Sequence, residues 1–535
     1  MSKYKNVLKK TKITSVKNKI LGREKEMSAN NGGGVTFKLG KWEVLSRFLN
    51  LGAENGTFYL SSGKHQYKNY KNIINCINED GCRVVDTLTD VSVRGLSHKN
   101  DHAIFALALC FTYGDDETKT RASFALDKVC RIGTHILMFV QFIKELRGFG
   151  KVVRNSINNW YLSKSNKDFA FQISKYQNRE GWTHRDVFCL THPNFGKEEK
   201  NSIARWSMNL PVEDINLSSN DEGVKLLAAI EKVKTSSSNK EIIKLISQYN
   251  LQREHLPTEL LNEIDIQKAM LPNLGSTALI RNLGNMSKSG LIKPLSQESK
   301  FVISKLEDTT FLKKGRVHPL SLYIATKTYN SGTGFKGTGS WNPDSNVVSA
   351  LETSFYKSFD LVEPTNKNYF FGLDISGSMT QQISSSPIVS CHEVATIIAL
   401  TMTKVEPYTF VGGFSGSFVD LKISKNDSLE SAGRKTQNNN FGSTNPGSAI
   451  EYAINNKIDT DVFIFITDNE INTGKHPSQI LKEYRKAMNK PNCKMIVIGL
   501  TATGFTIADP KDPLMLDIAG FSPDITSVIS NFVSS

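Results

Sequence analysis

The sequence predicts a multidomain protein in which an all-α array of helical repeats is followed by an α/β domain with a doubly wound sheet. Three observations support this fold class. Apolar residues recur every three to four positions from Trp42 to about Tyr356, which is the helical period. Two apolar runs, Tyr369 to Asp374 and Asp461 to Asp468, have the length and composition of buried strands. The length of 535 residues exceeds the usual size of one domain.

The helical region consists of short apolar periods joined by short polar connections. So many short helices are too many for one bundle and suit HEAT-like helix pairs stacked as a solenoid. No period of about 40–47 residues is visible, so we expect degenerate repeats. The clearest predicted helices are Lys41–Leu49, His102–Phe111, Thr120–Arg131, Ile136–Leu146, Asp168–Tyr176, Val224–Lys234, Ile242–Tyr249, Ile264–Met270 and Leu320–Tyr329.

These patterns divide the chain into three segments. Residues 1–34 are rich in lysine, end in Ala-Asn-Asn-Gly-Gly-Gly, and are predicted to form a flexible basic arm. The arm either adds non-specific phosphate contacts or is an ordinary solvated tail. Residues 35–360 carry the helical pattern, and residues 361–535 carry the α/β pattern.

Positive charge is confined to the part of the chain before the α/β domain. The whole chain has a net charge of +14, whereas residues 366–535 carry −2 and residues 1–365 carry +16. A basic region of this size is a candidate for binding a polyanion such as nucleic acid. The alternative is a surface whose charge serves only solubility.

The cysteines and apolar segments indicate a reducing compartment. The seven cysteines form no C-x-x-C pair, and most have apolar neighbours, as expected for core thiols. No apolar run reaches the roughly 20 residues that cross a bilayer, and no secretory signal is visible. We therefore expect a cytoplasmic protein, also nuclear if the organism is a eukaryote, with no membrane partner.

A candidate metal site follows the first apolar run, as Asp374-Ile-Ser376-Gly-Ser378. Hard oxygen ligands on one turn suit Mg²⁺, which leaves coordination positions for water or an outside ligand. Thr444 precedes a later helix-like stretch, and Asp468 ends the second apolar run. Because the carboxyl ends of parallel strands face one crevice, these five side chains are expected to meet there. The alternative is that the hydroxyls only cap helices and the aspartates only accept bonds from loop amides.

The set of Asp374, Ser376, Ser378, Thr444 and Asp468 resembles the metal-ion-dependent adhesion site of von Willebrand factor A domains. The resemblance implies Mg²⁺, or another divalent cation, held by the hydroxyls directly and by the carboxylates directly or through water. It also implies one coordination position for an acidic group of a partner protein.

Several segments of the helical region, together with one near the C-terminus, share a pattern with one known family. These segments are Arg47–Tyr59, Cys130–His135, Lys175–Asp186, Leu190–Pro193, Arg253–Leu256, Thr277–Met286, Arg316–Pro319 and Gly504–Pro510. They resemble the Ro autoantigen (Ro60) family with its TROVE module. The resemblance implies a ring of helical repeats around a positively charged hole, closed by the A domain. It further implies that Y-like small RNAs bind the outer surface and that 3′ single-stranded ends of misfolded non-coding RNAs enter the hole, with an exoribonuclease or an acidic protein as a further partner.

Within these segments, the spacing of Lys175 and Arg179 predicts two side chains on one face of a helix. Thr183 is expected to cap the next helix and His192 to end it. The resemblance assigns RNA contacts to Lys175, Arg179 and His192, and we add the adjacent residues to the predicted RNA-binding set, which becomes Lys175, Arg179, His184, Arg185 and His192. The alternative is a solvated basic face.

Five further basic residues begin or end helices in the matching segments and are candidates for lining the hole. The alternative is that they form structural ion pairs. The candidates are Arg131, His135, Arg253, Arg281 and Arg316.

No catalytic motif is visible, since the chain lacks the Walker, H-E-x-x-H and G-x-S-x-G patterns. We therefore predict an RNA-binding ribonucleoprotein component acting in RNA quality control, and no enzyme. The main alternative is a protein-interaction scaffold that binds acidic partners through the metal site, with RNA binding incidental. A Mg²⁺-dependent nuclease is a third hypothesis, since the predicted ion could assist phosphodiester cleavage. One metal with largely uncharged ligands is, however, poorly equipped for that reaction.

Overall fold

The computed structural model describes residues 20, 22–30, 34–51, 70–97, 99–196, 198–210, 212, 215–334, 339–358, 364–383, 386–437, 443–501, 503, 505–520 and 525–534. The chain divides into two compact units. The sheet unit comprises Met1–Cys76, Leu96–Lys99 and Phe359–Ser535, and the helical unit comprises Ile77–Gly95 and Asn100–Ser358.

The helices within the described residues are α1 (Lys41–Leu51), α2 (Lys71–Arg94, broken at Asp80), α3 (Asp101–Tyr113), α4 (Asp116–Val129), α5 (Gly133–Leu146), α6 (Lys151–Leu162), α7 (Asn166–Lys175), α8 (His184–Thr191), α9 (Glu198–Ser207), α10 (Glu222–Thr235), α11 (Asn239–Tyr249), α12 (Ile264–Met270), α13 (Ser276–Lys288), α14 (Gln297–Glu307), α15 (Thr309–Lys314), α16 (Pro319–Asn330), α17 (Ser345–Lys357), α18 (Cys391–Val405), α19 (Leu429–Thr436), α20 (Gly447–Asn455), α21 (Pro477–Ala487) and α22 (Ile525–Ser534). The strands are β1 (Met27–Ala29), β2 (Val35–Lys38), β3 (Asn178–Arg179), β4 (Trp182–Thr183), β5 (Asn368–Asp374), β6 (Gln382–Ile383), β7 (Ser386–Ser390), β8 (Tyr408–Phe414), β9 (Phe418–Asp420), β10 (Val462–Thr467), β11 (Lys494–Gly499), β12 (Phe505–Thr506) and β13 (Met515–Ala519).

The helical unit confirms the predicted helical pattern. Most contacts join helices close in the chain, such as α3 with α5, α7 with α10 and α16 with α17, as a stacked array requires. Capping side chains set several helix ends that the apolar period does not mark. For example, α4 begins four residues before the predicted Thr120, because the Asp115 side chain accepts a hydrogen bond from Thr118 N at its start.

The sheet unit confirms the predicted α/β domain. Its main sheet has the strand order β13-β11-β10-β5-β8-β9, parallel except for the edge strand β9. The central strands are fully buried apolar runs, as strands covered on both faces must be. The chain goes from β5 to β8 on one side and reaches β10 on the other, so the strand order reverses between β5 and β10. In open α/β sheets, ligands bind beyond the carboxyl ends of the strands at such a reversal.

The predicted boundary at residue 34 is wrong, because the residues around it pack within the sheet unit. The described part of the predicted arm includes β1, which pairs with β2, and β2 pairs in turn with β12 near the other end of the chain. Arg23 forms an ion pair with Asp509, and its guanidinium lies 4.8 Å from the centre of the Phe37 ring. Residues 1–19, 21 and 31–33 of the predicted arm lie outside the described residues.

Helix α1 also belongs to the sheet unit, although its apolar period placed it in the helical array. Arg47 is completely buried, and its Nη2 donates to both carboxylate oxygens of Asp517 on β13, at 2.8 and 2.7 Å. Its Nη1 donates to the carbonyl oxygen of Thr501 and to the hydroxyl of Thr503, each at 3.1 Å. Two-pronged pairing of this kind lets a charged side chain take the place of an apolar one at a helix–sheet interface.

The core thiol prediction is confirmed for most cysteines, since Cys76, Cys110, Cys130, Cys391 and Cys493 are buried, whereas Cys189 is exposed. Within the described residues, no helix combines the length and the apolar character needed to cross a bilayer.

Arg47→Met should destabilise the sheet unit by about 3–5 kcal/mol, because the Asp517 side chain, only 15% exposed, would lose its partner charge. Thermal and denaturant unfolding of the full chain, followed with a probe in the sheet unit, would measure the loss. Adding Asp517→Leu should recover part of it. Arg434→Ala is the control, since that side chain is 71% exposed and pairs with Glu430 at 3.9 Å. Equal effects of Arg47→Met and Arg434→Ala would contradict this account.

Candidate functional site

The Asp374 carboxylate lies at the carboxyl end of β5 and is completely buried. One of its oxygens accepts hydrogen bonds from the backbone N and the hydroxyl of Ser376, at 3.0 and 2.6 Å. The other accepts a bond from the Thr467 hydroxyl at 2.7 Å. All of these donors are neutral, so they orient the carboxylate without neutralising its charge.

Ser376 and Ser378 face the same point, with their hydroxyl oxygens 3.0 Å apart. Ser376 occupies the N-cap position of the 3₁₀ turn Gly377–Thr380, but its side chain makes no capping hydrogen bond. Its hydroxyl is directed to Asp374 instead. The alternative in which these hydroxyls serve only as caps therefore fails for Ser376.

Asp468 follows β10, the strand next to β5, and is also completely buried. One carboxylate oxygen accepts a bond from Glu470 N at 3.1 Å, and the other accepts one from the Gln381 side chain at 3.4 Å. Burial raises the pKa of Asp374, and the charge of Asp468 raises it further; burial also raises the pKa of Asp468. Among the described residues, no lysine, arginine or histidine forms an ion pair with either carboxylate.

Thr444 is buried in the loop that precedes α20. The next residue, Asn445, donates its backbone N–H to the carbonyl of Ser415, just beyond β8, at 2.7 Å. The backbone of Thr444 exchanges hydrogen bonds with Asn472, four residues after Asp468. The loop is thereby held at the carboxyl edge of the sheet. Pro446 is the N-cap of α20, so Thr444 does not cap that helix, and its hydroxyl makes no hydrogen bond within the described part of the chain.

The predicted helical face of Lys175 and Arg179 is wrong. Helix α7 ends at Lys175, and Arg179 lies on β3 of a hairpin whose two loop residues, Glu180 and Gly181, both have positive φ, at 52° and 79°. Two positive φ values in a two-residue loop are the pattern of a type I′ turn, which suits a hairpin and not a helix.

The two residues differ in how firmly they are held. The Lys175 ammonium donates to the Gln252 side-chain oxygen at 3.3 Å and lies near the rings of Phe171 and Tyr176, at 5.1 and 5.5 Å. Burial lowers the pKa of Lys175. The Arg179 side chain is 48% exposed and, within the described part of the chain, forms an ion pair with the neighbouring Glu180 at 3.1 Å.

His184 holds the start of α8 in place and is not at the surface. Thr183 caps this helix as predicted, in a reciprocal arrangement with Asp186. The buried His184 ring contacts the Tyr161 hydroxyl through Nδ1 and the Tyr176 carbonyl through Nε2, both at 2.9 Å. Burial lowers its pKa to about 4. His184 thus ties the end of α7 to α8, and its ring has no free nitrogen for a ligand.

Arg185 and His192 are exposed. His192 ends α8 as predicted, with the left-handed φ of 49° that is common at a helix C-terminus. Four residues of the predicted set are therefore accessible or partly accessible around the connection between α7 and α8: Lys175, Arg179, Arg185 and His192. The buried His184 holds this connection in place.

The structure brings three of the five predicted hole residues together around Ser92, near the end of α2. Arg131 Nη1 donates to the Ser92 carbonyl at 2.9 Å and to its hydroxyl at 2.7 Å. Arg316 Nη1 donates to the same carbonyl at 3.3 Å. His135 reaches this group through Asn100, whose side-chain oxygen accepts from the Ser92 hydroxyl.

This cluster carries uncompensated positive charge. Burial and, to a smaller extent, the nearby charge of Arg316 together lower the pKa of Arg131 to about 10. Among the described residues, neither guanidinium contacts a carboxylate, which excludes the predicted alternative of a structural ion pair at these two positions. Arg253 and Arg281 are exposed elsewhere in the helical unit, and no hydrogen bond joins them to Ser92.

Sequence reasoning missed Ser92, Asn100, Gln252 and Thr467. Only Thr467 had a visible signal, because it precedes Asp468 at the strand end. Ser92 and Gln252 act through contacts with residues far away in the chain, which no local pattern marks.

The comparisons with known proteins match both units. The family model described as TROVE domain matches residues 28–333, and the one described as Ro60 vWA domain matches residues 368–533. The chain belongs to the Ro60 family. It is 33% identical to the Deinococcus radiodurans RNA-binding protein RO60, over 94% of each chain.

Another Ro60-family relative, the Caenorhabditis elegans RNA-binding protein RO60, is 31% identical over 94% of this chain and 90% of its own. The crystal structure of the Deinococcus radiodurans RO (RSR) protein matches with a TM-score of 0.70 at 32% identity, covering 92% of this chain and 99% of that chain. The predicted fold class, helical repeats followed by a von Willebrand factor A domain, is confirmed.

The buried, neutral state of His184 predicts that stability falls in acid. An unfolded histidine takes up a proton below pH 6.5, whereas the folded His184 does so only near pH 4. The free energy of unfolding is therefore fully present above pH 6.5 and decreases as the pH falls toward 4. His184→Gln should reduce this pH dependence without removing it, because burial also lowers the pKa of His135, His255 and His476. Denaturant unfolding across the range measures the change.

His192→Gln is the matched control, because it makes the same substitution at an exposed histidine at the other end of the same helix. The tyrosine hydroxyl that faces His184 does not ionise in this range. A slope that stays at the wild-type value in His184→Gln would show that its titration is not the cause.

Proposed function

We propose that this protein binds RNA without acting on it chemically, and that the helical unit supplies the binding surface. The observation that carries the proposal is the Arg131–Arg316 pair, two guanidiniums that share one carbonyl and have no carboxylate partner among the described residues. Such a pair is stabilised by an anion that can accept hydrogen bonds from both, as a phosphate group does. The printed names of the relatives, which call them RNA-binding proteins, support RNA as the source of that phosphate.

Two surfaces suit two kinds of RNA. The Ser92 cluster, with Arg131, His135 and Arg316, is proposed to hold a 3′ single-stranded end of a misfolded non-coding RNA. The α7–α8 surface, with Lys175, Arg179, Arg185 and His192, is proposed to hold a small structured Y-like RNA. Basic side chains arranged in this way give affinity through phosphates and preference through the shape of the RNA. The protein would then act in RNA quality control, in the cytoplasm and, in a eukaryote, also in the nucleus.

The sheet unit is proposed to hold Mg²⁺ at Asp374, Ser376, Ser378, Thr444 and Asp468. Three observations fit that ion: two buried carboxylates without a counter-charge, the Ser376 hydroxyl directed away from its capping position, and the unused Thr444 hydroxyl. All five are hard oxygen donors, the type that Mg²⁺ prefers. When bound, the ion would cancel the charge of the carboxylate pair and offer a position for an acidic group of a protein such as an exoribonuclease.

Loss of charge at the two surfaces should affect different RNAs. The double variant Arg131→Gln with Arg316→Gln should weaken binding of a single-stranded RNA end by about ten-fold or more. Each lost phosphate contact removes the affinity that this contact supplied, and it reduces the slope of the log binding constant against log salt concentration by about one. Lys175→Ala with Arg179→Ala should act mainly on a small structured RNA. Electrophoretic mobility shift across a salt series measures both.

Lys232→Ala with Lys244→Ala is the matched control, because it removes two exposed positive charges of the same unit outside the proposed surfaces. Equal weakening by all three double variants would mean that only net charge matters. A flat salt dependence of wild-type binding would favour the protein-interaction scaffold over the RNA-binding function.

Asp374→Asn should abolish Mg²⁺ binding, as measured by isothermal titration calorimetry. RNA affinity should stay within about two-fold of wild type, because the RNA contacts proposed above all lie in the helical unit. In metal-free buffer the variant should be at least as stable as wild type, since it removes one of two buried like charges. Glu430→Gln, which removes an exposed charge in the same unit, is the control. Retained Mg²⁺ affinity in Asp374→Asn would contradict the assignment.

A further inference from the structure

A pocket of about 460 Å³, including its open mouth, lies in the helical unit beside α12 and α13. Its apolar wall includes the buried side chains of Met270, Met286 and Leu291. An apolar lining with a few polar groups at its edge is typical of small-ligand sites. Methionine sulfur and aliphatic groups pack well against the face of an aromatic ring.

The polar groups at this pocket are few and partly unused. Asn282 donates one amide N–H to the Ala278 carbonyl at 2.8 Å, which leaves its side-chain oxygen available. Asn285 is exposed, and its side chain makes no hydrogen bond within the described residues. An amide offers both a donor and an acceptor, as the hydrogen-bonding edge of a nucleobase does.

A positively charged side chain also lines this pocket. Arg253 lines it and, among the described residues, has no carboxylate partner. An apolar slot with free amides and an unpaired guanidinium combines the contacts that proteins use for an unpaired nucleotide: packing on the base, hydrogen bonds to its edge, and a cation for the phosphate or the ring. A neutral apolar peptide side chain would leave the amides and the guanidinium without a role.

One buried side chain connects this pocket to Lys175. The Gln252 oxygen accepts the hydrogen bond from the Lys175 ammonium at 3.3 Å, and its amide N donates to the Asn273 carbonyl at 3.0 Å. Residue 252 directly precedes Arg253, and Asn273 directly precedes Leu274, which also lines the pocket. A phosphate bound at Lys175 would therefore lie close to the mouth of the pocket.

We propose that this pocket takes one unpaired nucleobase of the RNA held at the α7–α8 surface, and that the backbone of this unpaired segment contacts Lys175 and Arg253. The inference rests on the RNA-binding function proposed above and adds a base-recognition site to it. The protein would then recognise a single strand by an accessible base as well as by its charge, and duplex RNA, whose bases are stacked and paired, would not fill the site.

The test uses the full-length protein, a single-stranded hexauridylate and a hexamer with the same sugar–phosphate backbone but no bases. Wild type should bind the base-bearing strand about ten-fold more tightly or better. Asn285→Trp fills the pocket from an exposed position and should reduce this ratio at least three-fold. Thr277→Trp, an exposed position on the same helix that does not line the pocket, should leave the ratio unchanged.

Photocrosslinking with a strand that carries 4-thiouridine gives a second measurement, which does not depend on how the variants fold. Label should appear in residues 264–291 of the wild-type protein. An unchanged binding ratio in Asn285→Trp, or crosslinks confined to other residues, would overturn the base pocket while leaving RNA binding intact. Competition by a neutral apolar peptide with no effect of the variant on the ratio would assign the pocket to a protein ligand and overturn it as well. Absence of binding to both hexamers and to structured RNA would instead refute the proposed function itself.

Discussion

The buried ion pair between Arg47 and Asp517 determines how the chain is divided. It joins the first described helix of the chain to the last strand of the main sheet, and the ion pair of Arg23 with Asp509 joins residues nearby in the same unit. Described residues near both ends of the chain therefore fold together. The helical unit, from Ile77 to Ser358, is accordingly an insertion between two parts of the sheet unit. This also explains why the matched TROVE domain begins at residue 28, inside the sheet unit.

Each unit contains a pair of like charges that no group of opposite charge contacts in the described part of the chain, and the two pairs have opposite signs. In the sheet unit the pair is Asp374 and Asp468, and burial with mutual repulsion raises the pKa of Asp374. In the helical unit the pair is Arg131 and Arg316, and burial with repulsion lowers the pKa of Arg131. Each pair destabilises the free protein, and each would be stabilised by a ligand of opposite charge. The signs agree with the charge asymmetry of the sequence, which is positive before residue 366 and slightly negative after it.

The sequence was most informative where one local pattern determines the structure. The apolar runs that form β5 and β10, the cap at Thr183 and the helix end at His192 all follow from a few adjacent residues. The hairpin at Arg179 was missed because a four-residue spacing of basic residues looks helical, and only the positive φ of Glu180 and Gly181 reveals the turn. The shared contact of Arg131 and Arg316 could not be predicted, because it depends on the path of the whole helical unit. His184 was placed in the RNA-binding set because it lies in the same matching segment as Lys175 and Arg179, although its ring fills the core beside Tyr161.

The contrast between Lys175 and Arg179 suggests how the α7–α8 surface divides the work of binding. Gln252 fixes the Lys175 ammonium beside two aromatic rings, and burial already lowers the pKa of Lys175. Binding a phosphate there would therefore require little further desolvation of the ammonium and little further loss of side-chain entropy. Arg179 stands in solvent with one exposed partner, so its charge acts over a longer distance but with a less defined geometry. In the proposed RNA complex, the fixed cation would therefore set the position of the bound strand, and the exposed one would raise the rate of encounter. Because Gln252 also holds the backbone at Asn273, that position would be transmitted to the wall of the neighbouring pocket.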